Sequence, residues 1–158
     1  MTDIGPHDLV IERYIAASPQ AVWRCWTEPD LIAQWFAPAP GRVPEVDIEI
    51  HPGGRFRVVM ESDEWGRMDG PPGCVLVADP GCRFVWTSAL GPLFRPAGDG
   101  DELRFTADMT MTPDGDGCAY RIVARHADAA TAKRHDDMGF AIGWGMCADQ
   151  MEAVARRL

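Results

Sequence analysis

The chain has 158 residues, of which 46% are hydrophobic and 25% are charged, so a disordered tail protein is excluded and one domain with its own core is expected. The net charge of −9 argues against a nucleic-acid surface, and the presence of a single lysine argues against a polybasic membrane tether. The six tryptophans and eight methionines are unusual, and they indicate either a bulky core or a pocket with bulky walls.

Two short helices are predicted after a first strand. The apolar and β-branched run at residues 9–15 favours a strand. Ser18 is a good N-cap and Pro19 suits the first position of a helix, so a helix is expected to begin there. Asp30 then caps a second short helix over residues 31–36.

Six strands are predicted in the middle of the chain, where the hydrophobic period changes to two. Turn residues such as Gly53, Gly81 and Gly115 separate several of these strands, so neighbouring strands are expected to pair antiparallel. The predicted strands cover residues 43–50, 55–60, 74–78, 83–88, 103–111 and 120–126.

A long helix is predicted at the C-terminus. Apolar residues there recur at steps of four and three, which is typical of an amphipathic helix, and residues 131–157 would form one helix about 40 Å long. Gly139, Gly143 and Gly145 weaken such a helix, since each glycine costs ~1 kcal/mol relative to alanine. Gly139 and Gly143 lie four apart on one face, so that face would approach the sheet or a ligand closely.

The order of these elements, β-α-α-β6-α, predicts an α+β fold. A curved antiparallel sheet of about seven strands would wrap around the C-terminal helix, and the two short helices would close one end. Residues 1–158 are expected to form a single domain, with its core at about residues 9–158. Any gap between the helix and the sheet would become a cavity.

Six segments stand out in chain order, at residues 18–23, 31–36, 52–56, 84–87, 135–140 and 143–144. Taken together, they resemble those of the START-like, or helix-grip (SRPBCC), superfamily. Within it, the chain is most similar to the group named for the C-terminal domain of the heat-shock-protein-90 ATPase activator, which is often placed beside the polyketide cyclases. The resemblance implies a helix-grip fold and roles that range from binding lipids, hormones or polyketides to cyclisation or assistance to chaperones.

An apolar site is predicted where strand alternation turns large side chains inward. We expect a small apolar or amphipathic ligand to bind in a cavity between the sheet and the C-terminal helix. Ordinary core packing is the alternative interpretation of each residue. The candidate ligand-binding residues are Trp35, Phe36, Phe56, Val58, Met60, Trp65, Trp86, Phe105, Met109, Tyr120, His126, Phe140 and Trp144.

Enzymatic chemistry is left open by the sequence. No serine lies in a nucleophile-elbow context, and no glycine-rich phosphate loop precedes a helix. His126 and Tyr120 are the candidates for a cyclase-like acid–base role in the pocket. His135 and Asp136 point in different directions on a helix, so neither a metal site nor a cofactor is predicted.

A cytoplasmic location is expected. The N-terminus lacks the pattern of a secretory signal, and no apolar run is long enough to span a membrane. The five cysteines are widely spaced and odd in number, which fits free thiols better than a disulfide framework. A chaperone-activator-like interaction domain and a homodimer remain alternatives to the small-molecule site.

Overall fold

Ten strands and four helices follow one another in the computed structural model, which describes residues 4–98, 100 and 102–158. The strands are β1 (Asp8–Ile15), β2 (Arg42–Ile48), β3 (Arg55–Ser62), β4 (Gly66–Met68), β5 (Gly73–Asp79), β6 (Arg83–Thr87), β7 (Leu90–Gly91), β8 (Arg95–Pro96), β9 (Thr106–Asp114) and β10 (Gly117–Arg125). The helices are α1 (Pro19–Thr27), α2 (Pro29–Ile32), α3 (Ala129–Asp137) and α4 (Phe140–Ala155), and a 3-10 turn covers Pro92–Phe94.

Seven strands form one antiparallel sheet in the order β1-β10-β9-β6-β5-β3-β2, and the short β4 pairs with β3. The sheet curls into a half-barrel around the helices, and α4 packs against α1 and β1. The predicted α+β helix-grip architecture is therefore confirmed. The loop expected after β6 contains a small hairpin of its own, in which β7 pairs with β8.

Helix α1 begins at the predicted cap, whereas α2 begins at Pro29 with Glu28 as its N-cap, so the prediction that Asp30 caps the second helix is wrong. The Ser18 hydroxyl accepts a hydrogen bond from the Ala21 amide at 3.1 Å, which fixes the start of α1. The second helix is shorter than the predicted 31–36 and is followed by turns that carry Trp35 and Phe36. The side-chain amide of Gln150 donates to the Trp35 carbonyl at 2.9 Å, so this segment is held against α4.

The prediction of one helix over residues 131–157 is wrong, because the chain breaks between α3 and α4. Gly139 has φ 91° and ψ 36°, a left-handed conformation that only glycine adopts without strain. Gly139 therefore separates α3 from α4, whereas the sequence predicted that it would lie inside one continuous helix. Gly145, not Gly143, makes the close approach, since a Cβ there would lie 2.6 Å from the Arg13 guanidinium.

The hairpin of β9 and β10 forms the centre of the sheet's inner face. Ala107, Met109, Tyr120 and Ile122 are buried there, which confirms the predicted alternation. The strand bounds differ from those predicted, however. The ladder begins at Thr106 rather than at residue 103, and it ends at Arg125 rather than at residue 126. Two candidate residues, Phe105 and His126, therefore flank the strands and lie at the same end of this hairpin.

Candidate functional site

Nine aromatic rings occupy the space between the sheet and the helices. Neighbouring centroids lie between 4.3 Å (Phe56 and Trp86) and 6.5 Å (Trp26 and Phe56) apart. Such pairs contribute ~0.5–1.5 kcal/mol each beyond the burial of their area. We call this set the aromatic cluster, and it consists of Trp26, Trp35, Phe36, Phe56, Phe84, Trp86, Phe105, Phe140 and Trp144.

The aromatic cluster contains more than half of the residues predicted to bind a ligand. Val58, Met109 and Tyr120 lie in the same core without joining the rings. His126 contacts the cluster through Phe105, with ring centroids 6.0 Å apart. The predicted residues that belong to the cluster itself are Trp35, Phe36, Phe56, Trp86, Phe105, Phe140 and Trp144.

Two predicted residues lie away from the aromatic cluster. Met60 is half-buried near the end of β3, where its backbone pairs with that of Met68 in β4. Trp65 is 41% exposed, and its ring lies against Gly41 in the connection between α2 and β2. The structure therefore places the β3–β4 hairpin over this connection.

Trp26 and His135 are not among the predicted ligand-binding residues, yet both contact several rings of the site. The ring of Trp26 contacts five others of the aromatic cluster. His135 was weighed only as a metal ligand, yet it is buried against Phe105 with ring centroids 4.6 Å apart. The sequence signal for His135 is the short connection between β10 and α3. Such a connection folds α3 back over the end of β10, next to His126.

The indole N–H of Trp86 is the unusual polar group of the aromatic cluster. Trp26 donates to the Tyr120 hydroxyl and Trp35 donates to the Cys25 carbonyl, each at 3.0 Å. Trp86 is 7% exposed, and its Nε1 is fully buried with no hydrogen-bond partner among the described residues. An unmade buried hydrogen bond of this kind costs ~1–3 kcal/mol. A ligand with an acceptor atom would recover that cost.

A buried histidine pair lies at the Phe105 side of the aromatic cluster. Nδ1 of His126 lies 2.8 Å from the His7 carbonyl oxygen, and its Nε2 lies 2.8 Å from Nδ1 of His135. The imidazole of His135 packs on Phe105 and, at 5.0 Å between centroids, on Phe140. Burial, together with the neighbouring His126, lowers the pKa of His135 from 6.5 to about 4. His135 is therefore neutral at neutral pH.

Tyr120 does not share a site with His126, although both were proposed as acid–base candidates. Burial raises the pKa of the Tyr120 hydroxyl well above its ordinary value, and Trp26 donates to that hydroxyl. The two residues are six positions apart along β10 and just beyond it, which is about 20 Å at ~3.3 Å per residue. The structure thus assigns Tyr120 to the packing between α1 and the sheet.

A pocket of about 510 Å³ opens where β6 ends, a size typical of ligand sites. Ser88 lies in its wall two residues after Trp86, and its hydroxyl accepts from the Phe105 amide at 3.0 Å. In the part of the chain that the structure describes, the lining residues come from the segments before β5, around β7 and β8, and before β9. None of these lining residues belongs to the aromatic cluster or to α4, so this pocket is separate from the cavity between the sheet and α4 that the sequence predicts.

The pocket has a polar rim. Arg104 donates to the Gly98 carbonyl and lies 3.4 Å from the Glu102 carboxylate, so its charge is largely matched. Arg95 is exposed in the same wall and pairs with no acid among the described residues. The rim therefore offers an arginine to the polar end of an amphipathic ligand.

Comparison with known proteins identifies the family. The model of the Activator of Hsp90 ATPase homolog 1-like proteins matches residues 16–156. The chain belongs to this family. No curated protein matches the chain. Within the described residues, none of the helices of this Activator of Hsp90 ATPase homolog 1-like chain is long and apolar enough to cross a membrane.

Solved structures agree with the family assignment. A protein from Nitrosomonas europaea is 33% identical, with a TM-score of 0.91, and the match covers 98% of this chain and 97% of the other. A protein from Rhodobacter sphaeroides shares the fold at 20% identity and a TM-score of 0.81, covering 99% and 97% of the two chains. An AHSA1-like protein from Aeromonas hydrophila matches at 17% identity and a TM-score of 0.71, covering 95% and 92%.

Proposed function

We propose that this chain binds a small apolar or amphipathic molecule at the Phe105 end of the aromatic cluster. The pocket beside β6 receives the ligand, and the ligand's apolar body packs on Trp86 and Phe105. The unpartnered indole N–H of Trp86 carries this proposal, because a donor that is buried without an acceptor fits a site that a ligand completes.

Phe105 is the movable part of the proposed site. Its side chain is half-buried, and it precedes β9 rather than lying within the strand ladder. Its centroid lies 5.6 Å from that of Trp86, whereas its backbone is held by Ser88 in the pocket wall. We propose that a rotation of this one side chain opens a path from the pocket toward the Trp86 ring.

The proposal is tested by titrating 2-acetylnaphthalene into the protein in a calorimeter. We expect binding to a single site in the wild type and about tenfold weaker binding in Trp86→Phe, which keeps an aromatic ring but loses the donor. Trp23→Phe is the matched control, because Trp23 is half-buried on α1 and packs on Phe84 outside the proposed site. A wild-type protein that does not bind this probe contradicts the proposal.

A protein partner is the second candidate function, and an exposed apolar face of α4 favours it. Ile142 is 74% exposed and Met146, one turn further, is 38% exposed. The family is described by its likeness to an activator of Hsp90 ATPase. A pull-down with an Hsp90-type chaperone tests this function, and it predicts capture by the wild type and loss of capture in Ile142→Ser. Equal capture of both proteins, or of neither, contradicts it.

A cytosolic location belongs to the same proposal. All five cysteines are free thiols, four of them buried, as expected for a chain in a reducing compartment.

A further inference from the structure

We propose that His135 selects a neutral ligand that donates a hydroxyl hydrogen bond to its Nε2 and places a carbonyl oxygen on the N–H of Trp86. The chemical class is a hydroxylated aromatic ketone. This inference rests on the proposed function and adds the polar chemistry of the ligand to it.

The hydrogen bonds of the histidine pair fix where the protons lie. A backbone carbonyl only accepts, so the His7 oxygen requires an N–H at Nδ1 of His126. Nε2 of neutral His126 is then an acceptor, and the 2.8 Å contact requires an N–H at Nδ1 of His135. The remaining nitrogen, Nε2 of His135, therefore carries a lone pair. The reverse arrangement would need a charged imidazole in a buried position, which desolvation disfavours.

That lone pair is available to a ligand. Among the described residues, no group hydrogen-bonds to Nε2 of His135, and this atom is not among the fully enclosed polar atoms. An acceptor there favours a hydroxyl and disfavours a carboxylate, because an anion would face the lone pair. A metal ion is not favoured, since in the described part of the chain no three His, Cys, Asp or Glu side chains lie close enough together to hold one.

His135, which carries the lone pair at Nε2, and Trp86, which carries the unpartnered N–H, both pack against the ring of Phe105. The centroid of Phe105 lies 4.6 Å from that of His135 and 5.6 Å from that of Trp86. The centroids of His135 and Trp86 therefore lie at most about 10 Å apart, and we infer that displacement of the phenyl ring between them would let one fused two-ring aromatic reach both. The flat rings of Phe56 and Phe140 beside them suit an aromatic body.

The test compares two probes of nearly equal shape. 6-Acetyl-2-naphthol carries both the hydroxyl and the carbonyl, whereas 2-acetyl-6-methoxynaphthalene lacks the hydroxyl donor. We expect the wild type to bind the naphthol about tenfold more tightly. His135→Asn should abolish that preference, because asparagine keeps an N–H near the position of Nδ1 but has no counterpart of Nε2. His51→Asn, in an exposed turn, is the matched control and should keep the preference.

The outcomes separate the two proposals. Equal affinity of the wild type for both probes overturns the role of His135 and leaves the proposed apolar site intact. A preference that persists in His135→Asn overturns the role as well, provided that circular dichroism shows the variant to be folded. Failure of the wild type to bind either probe overturns both proposals.

Discussion

The buried histidine makes stability depend on pH in a defined direction. The pKa of His135 is lowered from 6.5 to about 4 in the folded protein, so the unfolded chain takes up this proton first as the pH falls. The stability associated with neutral His135 is fully present above pH 6.5 and is lost progressively toward pH 4. His126 is the titratable group that contacts His135, and repulsion between the two imidazoles acts in the same direction as burial.

The magnitude follows from the two pKa values. One pKa unit corresponds to ~1.4 kcal/mol, so the full difference is roughly 3 kcal/mol near pH 4. Between pH 7 and pH 5, where the unfolded histidine becomes charged and the folded one does not, the loss is about 2 kcal/mol. The free energy of unfolding of a domain is ~5–15 kcal/mol, so this loss is large enough to measure.

Urea unfolding at pH 7, 6 and 5 measures this loss. Carboxylates also titrate toward the acidic end of the range, and His135→Asn removes one histidine while leaving them in place. The wild type should therefore lose about 2 kcal/mol more than His135→Asn between pH 7 and pH 5. His51→Asn should behave as the wild type does. Equal slopes for the wild type and His135→Asn would refute the reasoning, because they would mean that burial does not hold His135 neutral.

Two further comparisons test the fold and the orphan donor by urea unfolding. Trp26→Phe breaks a buried hydrogen bond whereas Trp86→Phe removes an unpartnered donor, so the first substitution should cost about 2 kcal/mol more; equal costs would mean that Trp86 is already partnered. Gly139→Ala should destabilise by ~1–2 kcal/mol because of its left-handed backbone. Gly143→Ala, inside α4 with no atom near the added Cβ, should stabilise by ~1 kcal/mol, and the same sign for both glycines would contradict the helix break.

The architecture could be predicted because it depends on local periodicity. Neighbouring residues are enough to predict the alternation along β9 and β10 and the start of α1 at Ser18 and Pro19. The structure confirms both predictions. The break at Gly139 escaped prediction because the apolar stripe starts only at Phe140, and no proline in residues 129–139 marks the end of a separate helix before it. A glycine inside a periodic run does not reveal whether it is helical or left-handed.

The candidate site could be predicted only in part, because it depends on contacts between distant segments. Alternation placed Phe56 and Trp86 on one inner face, and the structure stacks them at 4.3 Å. The pairing of His126 with His135 requires the turn after β10 to bring α3 back over the strand end. The missing partner of the Trp86 indole is a property of the folded surroundings, so no pattern in the sequence marks it.

The indole N–H resonance of Trp86 gives the most direct test of ligand binding at the aromatic cluster. In a ¹H–¹⁵N spectrum the six tryptophans give separate indole signals, and the Trp86→Phe spectrum assigns the one of interest. On titration with 2-acetylnaphthalene, the Trp86 signal should shift downfield as its N–H gains an acceptor. The Trp26 signal, already bonded to Tyr120, should stay nearly in place. A Trp86 signal that does not move at saturating probe, or a shift confined to exposed Trp65, would contradict the account.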